Sequence, residues 1–150
     1  MNIADLHEKL GISLPVSSRT EESRRYQETL AGVIFALSRR DYRATATLDE
    51  TNANGYSTVV FTATFATTDF LVFADRDLTL DSPAPVEVVR WDAVESIGLN
   101  ASAADYRGVD IESVVLRFSG ERQARRIVRS TIRSGEGFNE LVSFMLDRMR

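Results

Sequence analysis

The stretch STVVFTATFA at residues 57–66 constrains the chain more than any other. It alternates cleanly, with Val59, Phe61, Ala63 and Phe65 on one side and Thr58, Val60, Thr62 and Thr64 on the other. Period two is the mark of a strand whose two faces meet different surroundings. Such a strand needs neighbours, and the flanking sequence offers them. Residues 43–48 read as a strand, and 49–55 (DETNANG) as a turn in which Asn54-Gly55 supplies positive φ. Residues 69–74 read as a third strand, apolar on both faces, and 78–80 as a short fourth. After a loop at 82–85 come a strand at 86–90, the segment 91–94, and a further segment at 95–99. Residues 100–108 are small and polar and read as a loop. Val114, Leu116 and Phe118 alternate inward on the next strand, 119–122 turns the chain, and 123–129 returns it.

Helical spacing brackets this β region. Ile3, Leu6 and Leu10 share one face of a short helix, with Asn2 as cap and Gly11 as stop. Ser18 and Glu21 form a capping-box pattern, and Tyr26, Leu30, Val33, Ile34 and Leu37 make a stripe that predicts a helix over 19–39. Arg39 and Arg40 suit the negative pole at its end. At the other terminus Phe138, Leu141, Val142, Met145, Leu146 and Met149 form a near-complete apolar stripe, with a start at Ser134 or Gly135. Such a face must sit on the sheet or on a partner. The expected fold is therefore α+β: an antiparallel sheet or partly open barrel of about seven strands, capped by a C-terminal amphipathic helix. Residues 1–40 form an N-terminal helical extension and 41–150 the β domain.

That order of elements resembles the bacterial pleckstrin-homology-like and GRAM-like domains over residues 41–150. The resemblance is carried by TATFATTDFLVFADRDLTL (62–80), VEVVRWDAVESIGL (86–99) and the closing helix. It implies a barrel plugged by that helix, and a binding function of open kind, since such barrels serve lipid, peptide and protein ligands. Lipid-binding members carry basic residues around the first hairpin loop. The corresponding residues 49–55 here hold Asp49 and Glu50 and no cation, which disfavours phosphoinositides at that place.

Composition narrows the function classes. At 150 residues the chain is the size of one domain, and 43% apolar with 27% charged residues is a globular balance. Absence of cysteine excludes a disulfide scaffold and a thiolate metal site. The N-terminus lacks the features of a signal peptide and no apolar run suffices to span a bilayer, so a cytoplasmic location is expected. The formal charge of −4 gives no general affinity for nucleic acid.

The charge is uneven. Arg117, Arg122, Arg125, Arg126, Arg129 and Arg133 face one acid, Glu121, a local net of +5 that leaves −9 for the rest. The cluster reads either as a solvated face and a charge-guarded edge strand or as a patch for an anionic partner. Alternation puts Arg125 and Arg129 on one face and Arg126 on the other, so at least one must sit at a rim or pair with an acid. Nucleic acid is disfavoured because stacking aromatics are not interleaved with the arginines. Trp91, the single tryptophan, reads as core or, if exposed, as an interaction anchor. His7 reads as a surface residue, Asp75-Arg76-Asp77 as a turn, and Asp49, Asn52 and Asn54 lack the remaining ligands of a calcium loop. No nucleophile elbow, phosphate loop, cofactor motif or metal motif is present.

These observations predict a non-enzymatic binding or scaffolding domain that recognises a protein or peptide partner, through an open sheet edge or the groove beside the last helix. Homo-oligomerisation is one way to cover the stripe of the 19–39 helix. A secretion-chaperone-like acidic α+β dimer holding a partner segment is an alternative, compatible with the size, low pI and flanking helices, that would overtake the first reading if residues 91–99 were helical. Binding of an anionic ligand or membrane surface through the arginine cluster is another.

Overall fold

The computed structural model of the chain describes residues 1–14, 20–105, 108–129 and 136–149. It is α+β: α1 (Ile3–Leu10), α2 (Thr20–Leu37), seven strands, and α3 (Glu136–Met149). The strands are β1 (Arg43–Ala53), β2 (Tyr56–Ala66), β3 (Phe70–Asp77), β4 (Glu87–Arg90), β5 (Val94–Asp105), β6 (Gly108–Phe118) and β7 (Arg125–Val128). All pairings are antiparallel between consecutive strands, in two sheets ordered β1-β2-β3-β4 and β5-β6-β7. A 3-10 turn at Trp91–Ala93 carries the chain from one sheet to the other. The sheets do not close into a barrel, because β1 and β7 each end their own sheet.

Local chemistry sets the boundaries. Asn2 and Asp5 each accept the other's backbone N–H at the start of α1, and Gly11 ends it in the left-handed region at φ 66°. The expected cap at Ser18 lies outside the described residues. Helix α2 stops at Leu37 rather than 39, because Ser38 and Arg39 turn to positive φ. Arg40 then folds back to donate to the Leu37 carbonyl.

Several strands are longer than their apolar pattern. Strand β1 continues to Ala53 where a turn is expected from residue 49, and only Asn54 and Gly55, both at positive φ, make the bend. The Asn-Gly turn holds a register that runs unbroken from Ala53↔Tyr56 to Arg43↔Ala66, so backbone pairing persists beyond the core. Residues 100–105, expected as loop, belong to β5, held by the ladder to β6 with three irregularities. Asp75, Arg76 and Asp77, expected as a turn, lie on β3; tertiary partners on both faces compensate their charge. Residues 78–80 are a turn rather than a strand: Asp77 accepts from the Thr79 N–H and hydroxyl and bends the chain.

Sheet β1–β4 is covered on both faces. On one, Val59, Phe61, Ala63, Phe65, Val72 and Ala74 meet Leu6, Tyr26, Leu30, Val33 and Leu37 of the N-terminal helices. The α2 stripe is thus covered by this chain's own sheet. His7 is half-buried rather than a surface residue, sharing a 2.7 Å hydrogen bond with the Tyr26 hydroxyl that ties α1 to α2. Arg76, only 8% exposed, pairs with Glu28 at 3.1 Å and joins β3 to α2. On the other face Leu71, Phe73 and Val89 meet Val114, Leu116, Phe118 and Ile127 of the second sheet and Phe138, Leu141, Val142 and Met145 of α3. Burying those four α3 side chains is worth about 6–12 kcal/mol gross, an upper estimate. Leu146 is half-buried and Met149 is 39% exposed, so the stripe is covered over its first three turns only. Among the described residues, no helix is long and apolar enough to cross a membrane.

Candidate functional site

The arginines do not form one patch, because strand parity separates them. Arg125 points between the sheets. Its guanidinium donates to both Asp75 oxygens (2.6 and 2.9 Å), to Thr64 Oγ1 (3.1 Å) and to the Ala63 carbonyl (2.9 Å), and lies 4.2 Å from the Phe73 ring centroid. Of the two outcomes that alternation left for an inward arginine, a rim position or an acid partner, Arg125 has the acid. Arg129, on the same face, donates to the Ile111 carbonyl (2.9 Å) and to Asn139 Oδ1 of α3 (2.6 Å), and its guanidinium lies 5.0 Å from the Phe138 ring centroid. Arg122 pairs with Glu87 at 2.8 Å and covers Phe118. Arg117 and Arg126 are exposed on the outer face, with no ion-pair partner among the described residues. Arg133 lies outside the described residues.

Trp91 is half-buried against the second core, and its Nε1 donates to the Thr67 carbonyl at 2.8 Å. It pins the corner between the sheets to the β2–β3 turn. That turn is built on Thr67, fully buried, whose hydroxyl accepts from the Asp69 and Phe70 N–H groups and donates to the Phe70 carbonyl. Its indole N–H is thus engaged within the chain, and the ring is half-buried rather than fully core or fully exposed.

One concavity lies between the outer strands of the two sheets. A cavity of about 410 Å³ is lined by Thr45, Thr47 and Asp49 of β1, Thr62 and Thr64 of β2, and residues 126–129 at the end of β7. It is a slot between two strand edges that pair with no further strand among the described residues, and its size suits a bound ligand. Ladder bonds alternate along each strand, so edge groups can be assigned. Arg129 N–H bonds the Glu112 carbonyl, which directs Arg125, Ile127 and Arg129 toward β6 and leaves the backbone of Arg126 and Val128 facing outward. On β1 the tight turn makes Ala53/Tyr56 a bonded pair, so the backbone groups of Ala46 and Leu48 face the open edge. The slot's floor is the threonine side of β1 and β2, opposite the side that packs on the helices. One end of the β1 edge is covered by α3: a Cβ on Gly137 would come 3.0 Å from the Ala44 carbonyl oxygen.

Sequence alternation did separate Thr62 and Thr64 from the helix-facing residues. Nothing in one dimension says that this polar face lines a gap, since that depends on where β7 stops. No cluster of three or more His, Asp or Glu able to hold a metal occurs among the described residues. The ionisable groups displaced from ordinary behaviour are structural: burial pushes the Tyr26 hydroxyl well up, and burial with the nearby Asp5 charge raises Tyr42. Compared with known proteins, the chain matches no family model, no curated protein and no solved structure.

Proposed function

We propose that this chain is a non-enzymatic binding module, pleckstrin-homology-like in build, that takes up an extended segment of a protein partner in the seam between β1 and β7. One observation carries the reading: two strand edges with outward backbone groups line a single cavity. Unpaired edges are templates for a further strand, and adding one would continue both ladders. The build is supported by the order of elements, a four-stranded and then a three-stranded antiparallel meander followed by a helix. The secretion-chaperone alternative does not gain the helix that would have favoured it, because residues 91–99 form a 3-10 turn and then strand. A membrane-facing arginine patch is less supported, since Arg122 and Arg125 already hold carboxylates of this chain.

The test is amide NMR of the isotope-labelled chain titrated with strand-length peptides of alternating polar and β-branched residues. Shifts should concentrate at Ala46, Leu48, Arg126 and Val128. Shifts that appear only elsewhere, or none with any peptide, count against the seam.

A further inference from the structure

We infer that the segment taken up by the seam carries two carboxylates three positions apart. This rests on the seam as the binding element and adds what it selects. Backbone groups on the two edges accept any extended chain, so discrimination has to come from side chains beside the slot.

The charges beside it are unbalanced. Asp49 is the one carboxylate among the described lining residues. Against it stand two guanidinium groups with no acid partner among the described residues. Among the described residues, Arg126 is exposed with no side-chain partner, and Arg129 bonds a carbonyl and an amide oxygen, both neutral, and no acid. Both line the cavity. Arg125 and Arg122 do not add to this charge, because Asp75 and Glu87 hold them.

Parity then gives the spacing. Arg126 lies on β7, and Arg129 lies one residue past its end, still bonded through its N–H to the Glu112 carbonyl; three residues apart, they project from opposite faces of the sheet. A strand laid beside β7 places one residue opposite each, with side chains close enough to pair across strands. Those two residues are also three apart and also project to opposite faces. Residues between them lie against Ile127 and Val128, where β-branched side chains suit the surface. The occupant is thus an extended acidic peptide of a partner protein, read by Arg126 on the outer face and Arg129 on the inner.

The experiment uses the full chain and fluorescent strand-length peptides of Thr and Val. They carry two Glu three positions apart, two Gln at the same places, two Lys, or two Glu moved to two positions apart. Anisotropy gives affinity, and amide NMR gives the place. The spaced Glu peptide should bind roughly tenfold tighter than the Gln peptide, two exposed cross-strand pairs each supplying a few-fold. Lys should bind more weakly than Gln, and the two-apart Glu peptide should lose most of the gain. Arg126→Glu should reduce the spaced-Glu affinity about fivefold, a larger loss than the Gln peptide shows. Should that reversal disturb the fold, Arg126→Gln reads the same contact. Equal affinity of Glu and Gln peptides, with shifts still at the seam amides, overturns this inference and leaves the seam standing. Absence of shifts at the seam with every peptide overturns both. Seam shifts that follow protein concentration without peptide make the occupant a second copy, and also overturn it.

Discussion

Arg125→Ala is the perturbation that most directly tests how the two sheets are held together. The side chain is 13% exposed and its partner Asp75 is 50% exposed, so solvent screens the pair and the full value of a buried ion pair does not apply. What remains is a charge-assisted bidentate contact, two further hydrogen bonds to Thr64 and Ala63, and the guanidinium over Phe73. A hydrogen bond to a charged group nets about 1.5–3 kcal/mol, and a partly desolvated cation–π contact about 0.5–2 kcal/mol. Allowing for screening and overlap, the loss is about 3 kcal/mol, or roughly 6–12 °C in Tm for a chain of this size. Urea unfolding followed by Trp91 fluorescence suits the measurement, because Trp91 sits at the corner between the sheets. Arg126→Ala, one position along and facing out, should stay within about 0.5 kcal/mol of the parent. A double-mutant cycle with Asp75→Asn should show coupling of about 1 kcal/mol or more. Equal losses at positions 125 and 126, or a cycle with no coupling, would refute the assignment of Arg125 as the clamp between sheets.

Thr67→Val keeps the volume but leaves the Asp69 and Phe70 N–H groups without their hydroxyl acceptor; a loss of about 1–3 kcal/mol is expected in urea unfolding. The raised Tyr26 and Tyr42 hydroxyls favour the neutral form in the folded chain, so the folded state holds more protons than the unfolded state at high pH. Stability should therefore be level up to about pH 10 and fall above it, and Tyr26→Phe should flatten that fall in urea midpoints measured across the alkaline range.

The sequence by itself determined which residues are strands and helices wherever burial is one-sided. The alternation at residues 57–66 and the stripes of α2 and α3 are responses to a core on one face, and they appear in the structure as strand β2 and helices α2 and α3. That at least one of Arg125, Arg126 and Arg129 must sit at a rim or pair with an acid was also legible, because period two leaves no third direction for a side chain; which of the two holds, and for which arginine, was not. What the tertiary structure alone decided is where ladders run without apolar pattern, as at residues 49–53 and 100–105, since backbone bonds carry no side-chain signature. It decided that Asp75 and Arg76 belong in a strand, because their counter-charges come from residues about fifty positions away, on β7 and α2. It also decided that the N-terminal helices cover the chain's own sheet, and that β7 ends after four residues. The slot beside β1 follows from that short strand: a gap between edges is a relation among distant backbones, and no local residue pattern encodes it.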